Sequence, residues 1–220
     1  MNEKQDKCRI AALANLATVY GNSNDFQKCL ETSEQAIALS NELMIPDTSV
    51  HITALANLVI GLCLTGNLNQ SLSYITKGYE LLKFNNDSKS FNVEFDKVVA
   101  WLRVSAGAFS LAGYYAEAVD IQSKVLNLYK LYGGGDNNMY MTTLQDMALT
   151  YFKNGDYKNT EATAQECYAL INSYVRSRFS TMTTRERANF WHKFSDANAN
   201  FCNLILPYLA QKTNSLQLMA

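Results

Sequence analysis

The chain has 220 residues, of which 48% are hydrophobic and 18% charged, and its formal net charge is −1. This composition can bury a core, which excludes a disordered chain, and the near-neutral charge argues against a general nucleic-acid binder. Only two prolines occur, so long proline-free stretches favour helices over a sandwich with many turns. No run approaches the roughly 20 apolar residues of a membrane-spanning helix, and the polar start MNEKQDKCRI is no signal peptide. We therefore expect an all-α, cytoplasmic protein.

Four short turns recur along the chain and share one pattern. They read SNDF at 23–26, TGNL at 65–68, AGYY at 112–115 and NGDY at 154–157. The second residue of each is one that tolerates the left-handed backbone at the end of a helix: Asn24, Gly66, Gly113 and Gly155. A leucine precedes each of them at a constant distance: Leu13, Leu55, Leu102 and Leu144. Another follows each at a constant distance: Leu39, Leu81, Leu128 and Leu170. Each turn is therefore expected to join two helices into a hairpin.

Mostly small residues recur at two further positions around each turn. Those of the first helix are Ala17, Val59, Ala106 and Ala148. Those of the second helix are Cys29, Ser71, Ala118 and Thr160. Small side chains let two antiparallel helices approach closely, although Val59 is bulky for such a crossing point. The pattern predicts that these residues lie where the helices of each hairpin cross.

This recurring pattern of turn, leucine and small-residue positions resembles that of the tetratricopeptide repeat (TPR) family. The similarity is greatest in LQDMALTYFKNGDYKNTEATAQECYAL (144–170) and clear in ALANLATVYGNSNDFQKCLETSEQAIAL (12–39). Four repeats are predicted, at about 10–43, 52–85, 99–132 and 141–174, with spacings longer than the family's usual period of about 34 residues. The resemblance implies a right-handed superhelix of α-α hairpins that binds a protein or peptide partner along a concave groove. The alternative is an unrelated helical bundle with accidental spacing.

After the repeats, residues 171–184 lose the period. Thr183 and Glu186 then form a capping box, which starts a helix at about Thr184. An apolar stripe follows at helical spacing: Phe190, Phe194, Phe201, Leu204 and Tyr208. We expect one helix over 184–210 that packs on the fourth hairpin and closes the end of the solenoid. Residues 1–174 would then be the repeat domain, and 175–220 a connector with a C-terminal capping helix.

A second resemblance lies in MTTRERANFWHKFSDANANFCNL, which is similar to the segment after the repeats in bacterial CHAT proteins. In that family a repeat array is joined to a caspase-like or separase-like peptidase domain. The resemblance implies that this chain is the regulatory part of a longer bacterial protein, with its effector domain beyond Ala220. The alternative is the sensory TPR half of a bacterial transcription regulator, which a helix-turn-helix domain after residue 220 would reveal.

No constellation of nucleophile, base and orienting group appears, so we expect no enzyme activity, no cofactor and no metal. His192 and Cys202 would lie about 15 Å apart on one helix, which excludes a dyad. The five cysteines have no CxxC pair and are interpreted as reduced, packed thiols. A basic cluster follows the repeats and is interpreted as a solvated surface, or secondly as a docking face: Arg176, Arg178, Arg185, Arg187 and Lys193.

The candidate site is the groove-facing side of the first helices. Asn15 and Asn57 occupy one repeat position inside the similar strings ALANLA and ALANLV, and an amide can both donate to and accept from an extended backbone. The TPR resemblance implies a peptide-binding role for both. The same face of the later repeats adds four residues: Arg103, Gln145, Asp146 and Lys153. Arg103 and Lys153 would suit a ligand with an acidic group. The alternative is that the two asparagines only bond neighbouring helices.

Overall fold

The computed structural model describes residues 3–42, 48–82, 94–132, 138–197, 203 and 205–213, and within them every regular element is a helix. The helices are α1 Glu3–Asn22, α2 Phe26–Glu42, α3 Thr48–Leu64, α4 Leu68–Leu82, α5 Phe95–Leu111, α6 Tyr115–Tyr132, α7 Asn138–Lys153, α8 Tyr157–Phe179, α9 Thr184–Ala197 and α10 Leu206–Thr213. The predicted all-α fold of helical hairpins is confirmed over these residues. By contacts the chain divides into two compact units, Met1–Tyr114 and Tyr115–Ala220.

The four predicted turns have the same backbone geometry. The residue expected to be left-handed has a positive φ in every case: Asn24 61°, Gly66 85°, Gly113 84° and Gly155 74°. The amide of the next residue donates five residues back, at 2.8–3.0 Å, from Asp25, Asn67, Tyr114 and Asp156 to Tyr20, Leu62, Phe109 and Tyr151. A left-handed residue followed by an amide that bonds five residues back is typical of the Schellman motif, which satisfies the carbonyls at the end of the first helix. The turn prediction is confirmed at all four places.

The predicted crossing residues are deeply buried in each hairpin. Those of the first helices are between 0 and 2% exposed: Ala17, Val59, Ala106 and Ala148. Those of the second helices are at most 1% exposed: Cys29, Ser71, Ala118 and Thr160. Val59 is fully buried despite its bulk, and two residues later Gly61 lies so close to Leu30 of α2 that an added Cβ would collide with it. The recurring leucines of the second helices behave differently, since Leu81 is 37% exposed.

In the first unit, α1 and α3 each pack against the second helix of their own hairpin and against the next first helix. α3 contacts α1, α2, α4 and α5, and α4 also contacts α5. The first of these contacts has a small apolar core made of Ile10, Ala14, Ala36 and Ala54. Between α4 and α5, Gly78 makes room for Trp101, which is fully buried. This sequential packing is what stabilises a hairpin that cannot bury its apolar faces alone.

In the second unit, α7 packs against α6 and against α8. The Gln122 amide of α6 donates to Thr150 Oγ1 of α7 at 3.1 Å. On the other side, the Cys167 thiol of α8 donates to the Met141 carbonyl at 3.6 Å, and the Tyr140 hydroxyl donates to Glu166 at 3.1 Å. Two different surfaces of α7 are therefore bonded to its neighbours.

The helix predicted after the repeats begins where the sequence pattern placed its start. Thr183 Oγ1 accepts from the Glu186 amide at 3.3 Å, and the Glu186 carboxylate accepts from the Thr183 amide at 2.7 Å, so the capping box is present and α9 begins at Thr184. α8 continues to Phe179, beyond residue 174 where the repeat pattern ends. The predicted helix over 184–210 corresponds to α9 and α10. The side chains of Phe190, Phe194, Phe201, Leu204 and the residues at 198–202 lie outside the described part.

Candidate binding surface

The central first helix of the first unit leaves one stripe uncovered. α3 is surrounded by four helices, yet Ala56, Ile60 and Leu64 remain partly or fully accessible, and Leu64 is 52% exposed. They lie four residues apart and therefore on one face of the helix. α3 carries no charged side chain at all. The sequence of α3 thus places an aliphatic strip on the surface.

The neighbouring first helices continue this side of α3. On α5, Gly107 and Leu111 stand at the repeat positions of Ile60 and Leu64, and Ala100 and Val104 lie on the same side of the helix, all partly or fully accessible. On α1 this side is polar, with Asn15 and Thr18 exposed. We call these residues of α1, α3 and α5, together with Arg103, the first-helix face.

The second helices present a different surface. The exposed side chains of α2 and α4 include six charged residues: Lys28, Glu31, Glu34, Glu42, Lys77 and Glu80. Among the residues of the first-helix face, Arg103 is charged and the others are aliphatic, small or uncharged polar. Exposed aliphatic surface next to charged surface is typical of an interaction site, because a partner that covers aliphatic side chains removes them from water, which is favourable.

Asn57 makes the helix-to-helix bonds that the alternative interpretation of the asparagines expects, while its role in peptide binding stays a prediction. Its Nδ2 donates at 2.9 Å to the Ala14 carbonyl and at 2.9 Å to Thr18 Oγ1, and the residue is only 7% exposed. Both amide protons are therefore used to bond α3 to α1. The Thr18 hydroxyl in turn donates to the same Ala14 carbonyl at 3.1 Å. Asn57 consequently fixes the spacing of two first helices under the face.

The other predicted site residues are divided between the two units. In the first unit Asn15 is exposed and Arg103 is half-buried on the first-helix face. In the second unit Asp146 and Lys153 are exposed on α7, whereas Gln145 is 6% exposed. Asp146 and Lys153 lie seven residues apart, which places them on the same side of α7. The structure brings Asn15, Asn57 and Arg103 into one unit and the remaining three into the other.

Sequence reasoning missed the aliphatic members of the face. Ile60, Leu64 and Leu111 lie on the groove-facing side of the first helices, but only polar residues of that side were predicted as binding candidates. The available signal was that α3 has no charge over its whole length. A helix without charged residues is expected to be covered on most of its surface, so its accessible aliphatic side is unusual.

The described residues contain no group of three or more His, Cys, Asp or Glu side chains placed to hold a metal ion. Burial raises the pKa of the Cys29 and Cys63 thiols, which disfavours the nucleophilic thiolate. His192 is exposed, and Cys202 lies outside the described part. None of the described helices has the length and apolar character needed to cross a membrane.

Comparison with known proteins identifies the fold. The sequence matches no protein-family model and none of the curated proteins. The structure is similar to that of BtubC (BKLC) from P. vanneervenii, with a TM-score of 0.63 and 14% identity over 90% of this chain and 78% of that one. It is also similar to a Podosopora anserina putative kinesin light chain with nearly identical TPR-like repeats, with a TM-score of 0.58 and 15% identity over 94% of this chain and 98% of that one. The fold is TPR-like.

A further solved structure, the apo form of RapI, matches with a TM-score of 0.61 and 11% identity over 94% of this chain and 54% of that one. All three identities are so low that the similarity establishes the architecture alone. The TPR resemblance of the sequence is supported by these structures, whereas the resemblance to the CHAT segment finds no support among them.

Proposed function

We propose that the chain is a protein-interaction scaffold that binds an extended, mainly apolar peptide segment of a partner on the first-helix face. The observation that carries the proposal is the aliphatic, charge-free stripe of α3, left accessible between two other first helices. Asn15 and Arg103 would bind polar groups of the partner, and Asn57 would hold α1 and α3 at the spacing the peptide requires. The proposal assigns no reaction to the chain.

The chemistry of the face specifies the ligand further. Ala56, Ala100 and Gly107 have little or no side chain, so a backbone can approach the helices there, while Ile60, Leu64 and Leu111 offer contacts to aliphatic side chains. A carboxylate near Arg103 would form a charge-assisted hydrogen bond. On α7, Gln145, Asp146 and Lys153 are proposed as a second, polar patch of the same scaffold.

Gly107 offers a direct test. It is exposed in the middle of α5, and an added Cβ would meet no atom within 4 Å. Gly107→Leu should therefore fold normally while it fills the face. We would select binders from a displayed library of random peptides on the wild-type chain and titrate the best of them by calorimetry. The proposal predicts apolar peptides with an acidic residue, and at least about tenfold weaker binding to Gly107→Leu, because the ligand loses its contact area.

The matched control is Gly155→Asn, which changes an exposed turn glycine, keeps a residue that tolerates a positive φ, and lies in the second unit, outside the first-helix face. It should bind the peptides with wild-type affinity. Equal binding by Gly107→Leu and the wild type, with both variants folded by circular dichroism, would move the binding surface elsewhere.

The cellular context of the scaffold is a finer proposal. The sequence resemblance of MTTRERANFWHKFSDANANFCNL leads us to propose a cytoplasmic, bacterial setting in which the scaffold regulates a CHAT-type peptidase domain that follows residue 220. The alternative is the sensory half of a bacterial transcription regulator. The gene sequence downstream of Ala220 separates the two, since a His/Cys peptidase domain supports the first and a helix-turn-helix domain the second.

A further inference from the structure

The last helix of the fourth hairpin is longer than its partner. Two hydrogen bonds, from the Cys167 thiol to the Met141 carbonyl and from the Tyr140 hydroxyl to the Glu166 carboxylate, place the middle of α8 level with the beginning of α7. Because the two helices are antiparallel, the first residue of α7, Asn138, is level with about Leu170. Residues 171–179 therefore extend about 14 Å beyond the start of α7 at a rise of 1.5 Å per residue.

An open pocket of about 290 Å³ lies where α8 extends past α7. Its floor is Met141, which is 3% exposed, and its other lining residues come from α8: Leu170, Ser173, Tyr174, Ser177 and Arg178. Leu170, the pair Ser173 and Tyr174, and the pair Ser177 and Arg178 follow one another at intervals of three or four residues, so all five lie on one side of the helix. The pocket thus has an apolar floor and a polar rim, and it belongs entirely to the second unit.

The rim of this pocket is part of a strongly basic segment. Residues 176–187 contain four of the six arginines of the chain and one glutamate, a net charge of +3 in a chain whose total is −1. Glu186 is engaged in its capping box, and the bonds from Thr183 lower its carboxyl pKa. Within the described residues Arg176, Arg178 and Arg185 are exposed and take part in no ion pair.

Two of the arginines are held in position by aromatic rings. The Arg178 guanidinium lies 5.2 Å from the centre of the Tyr174 ring, and that of Arg187 lies 5.9 Å from the centre of the Phe179 ring. Arg187 Nε also donates to the Met182 carbonyl at 3.1 Å. Stacking on a ring leaves the N–H edge of Arg178 free to form paired bonds with a carboxylate.

From the pocket and this charge we infer a second docking surface, which binds an acidic segment of a protein partner by inserting one apolar side chain above Met141 and pairing side-chain carboxylates with Arg178 and its neighbouring arginines. Charge complementarity favours an acidic partner, because Glu186, the one acidic residue of 176–187, is already bonded to Thr183 in the capping box. The surface lies on α8 and is separate from the first-helix face, so it can succeed or fail independently of the function proposed above.

The test is fluorescence anisotropy on the whole chain with a fluorescein-labelled peptide in which glutamates flank a Leu-Phe pair. Arg178→Glu should weaken binding about tenfold or more, the effect of losing a charge-assisted hydrogen bond. Arg9→Glu, an exposed site on α1 with the same change of charge, is the control and should bind as the wild type does. Added salt should weaken the wild-type complex.

A second variant separates the pocket from the charge. Ser173→Trp fills the exposed rim without removing a charge, so it should weaken the Leu-Phe peptide and leave an all-glutamate peptide unaffected. Circular dichroism melting of each variant confirms the fold. The inference is overturned if the acidic peptide does not bind, if Arg178→Glu and Arg9→Glu bind equally, or if oligo(dT) binds in preference to the peptide, which would make the surface a phosphate-backbone site.

Discussion

At the scale of single residues, the packing of α4 on α5 depends on one glycine. Trp101 has no accessible surface, and its ring lies where a side chain on Gly78 would begin. The Tyr79 ring meets it edge-on, with centroids 6.5 Å apart. No bond to Trp101 Nε1 is found within the described residues. The space left by Gly78 thus allows the largest side chain of the chain to join the second and third repeats.

Gly78→Ala should therefore destabilise the protein, because the new Cβ overlaps the indole ring and the rigid helices must move apart. We expect the free energy of unfolding in urea to fall by about 1–3 kcal/mol, the usual cost of overpacking. Gly107→Ala is the control, since its Cβ meets open space; there the better helix propensity of alanine should raise stability by about 0.5–1 kcal/mol. Similar effects of both substitutions would contradict the packing described for Trp101.

Asn57→Ala tests the bond between α1 and α3. The substitution removes both bonds that Asn57 Nδ2 donates to α1 at a site that is 7% exposed. A loss of about 1–3 kcal/mol in unfolding free energy is expected, since each of the two hydrogen bonds contributes about 0.5–1.5 kcal/mol. Asn15→Ala, at the equivalent but exposed position of the first repeat, should cost much less. If Asn57→Ala weakens peptide binding without any loss of stability, the asparagine contacts the ligand directly.

At the scale of the elements, α2 and α3 are joined by a hydrogen bond in which one partner is a titratable histidine. His51 Nδ1 of α3 and Ser40 Oγ of α2 are 3.2 Å apart, and Ser40 is buried. Desolvation by burial lowers the pKa of His51 below the usual 6.5. The folded state therefore prefers the neutral imidazole more strongly than the unfolded chain does.

The sign of the pH effect follows from this direction. Below about pH 6.5 the unfolded chain begins to bind a proton at this histidine while the folded protein still resists it, so stability falls as the pH is lowered towards the folded pKa. We expect the unfolding free energy to decline between about pH 7 and pH 5 and the decline to be smaller in His51→Gln. Carboxylates with lowered pKa values, such as Asp25 and Glu186, lose their contribution at lower pH. An identical decline in the variant would remove His51 as its cause.

At the scale of the whole molecule, the last helix covers the turn end of the fourth hairpin. The Tyr208 ring of α10 lies 5.3 Å from both the Phe152 and the Tyr157 rings, which stand on either side of the turn. Ile205 and Leu209 are 0% and 1% exposed. This arrangement fits the predicted capping role, because the last hairpin of a solenoid needs a cover for its apolar side.

Leu209→Ala should destabilise the protein by about 2–5 kcal/mol through the loss of a buried side chain and the cavity that remains. Truncation after Thr183 removes both α9 and α10 and should lower the melting temperature further and expose apolar surface to a hydrophobic dye. Unchanged melting in the truncated chain would show that α10 does not stabilise the fourth hairpin.

Sequence reasoning succeeded where structure is local. The four turns could be located because the left-handed position favours glycine or asparagine, which recurs there in every repeat: Asn24, Gly66, Gly113 and Gly155. The capping box at Thr183 is a similarly local signal. The crossing residues could be predicted because their small size recurs with the repeat.

What the sequence did not predict depends on distant partners. The acceptor of Asn57 lies 43 residues away in α1, so no local pattern separates a structural amide from one that binds a ligand. α8 continues past residue 174 because 171–179 contains no glycine or proline, and a helix can persist after the repeat has ended. The pocket over Met141 arises from that extra length, and it could be recognised only when both helices were placed side by side.

The central claim is that a partner peptide binds the first helices of the first unit, and hydrogen exchange with mass spectrometry tests it most directly. A library-selected apolar peptide would be added to the full chain, and the change in amide exchange would be measured segment by segment. The account predicts increased protection in 56–64 of α3 and 100–111 of α5, with little change in the charged helices α2 and α4. Protection concentrated in α2 and α4, with none added in α3 and α5, would contradict it.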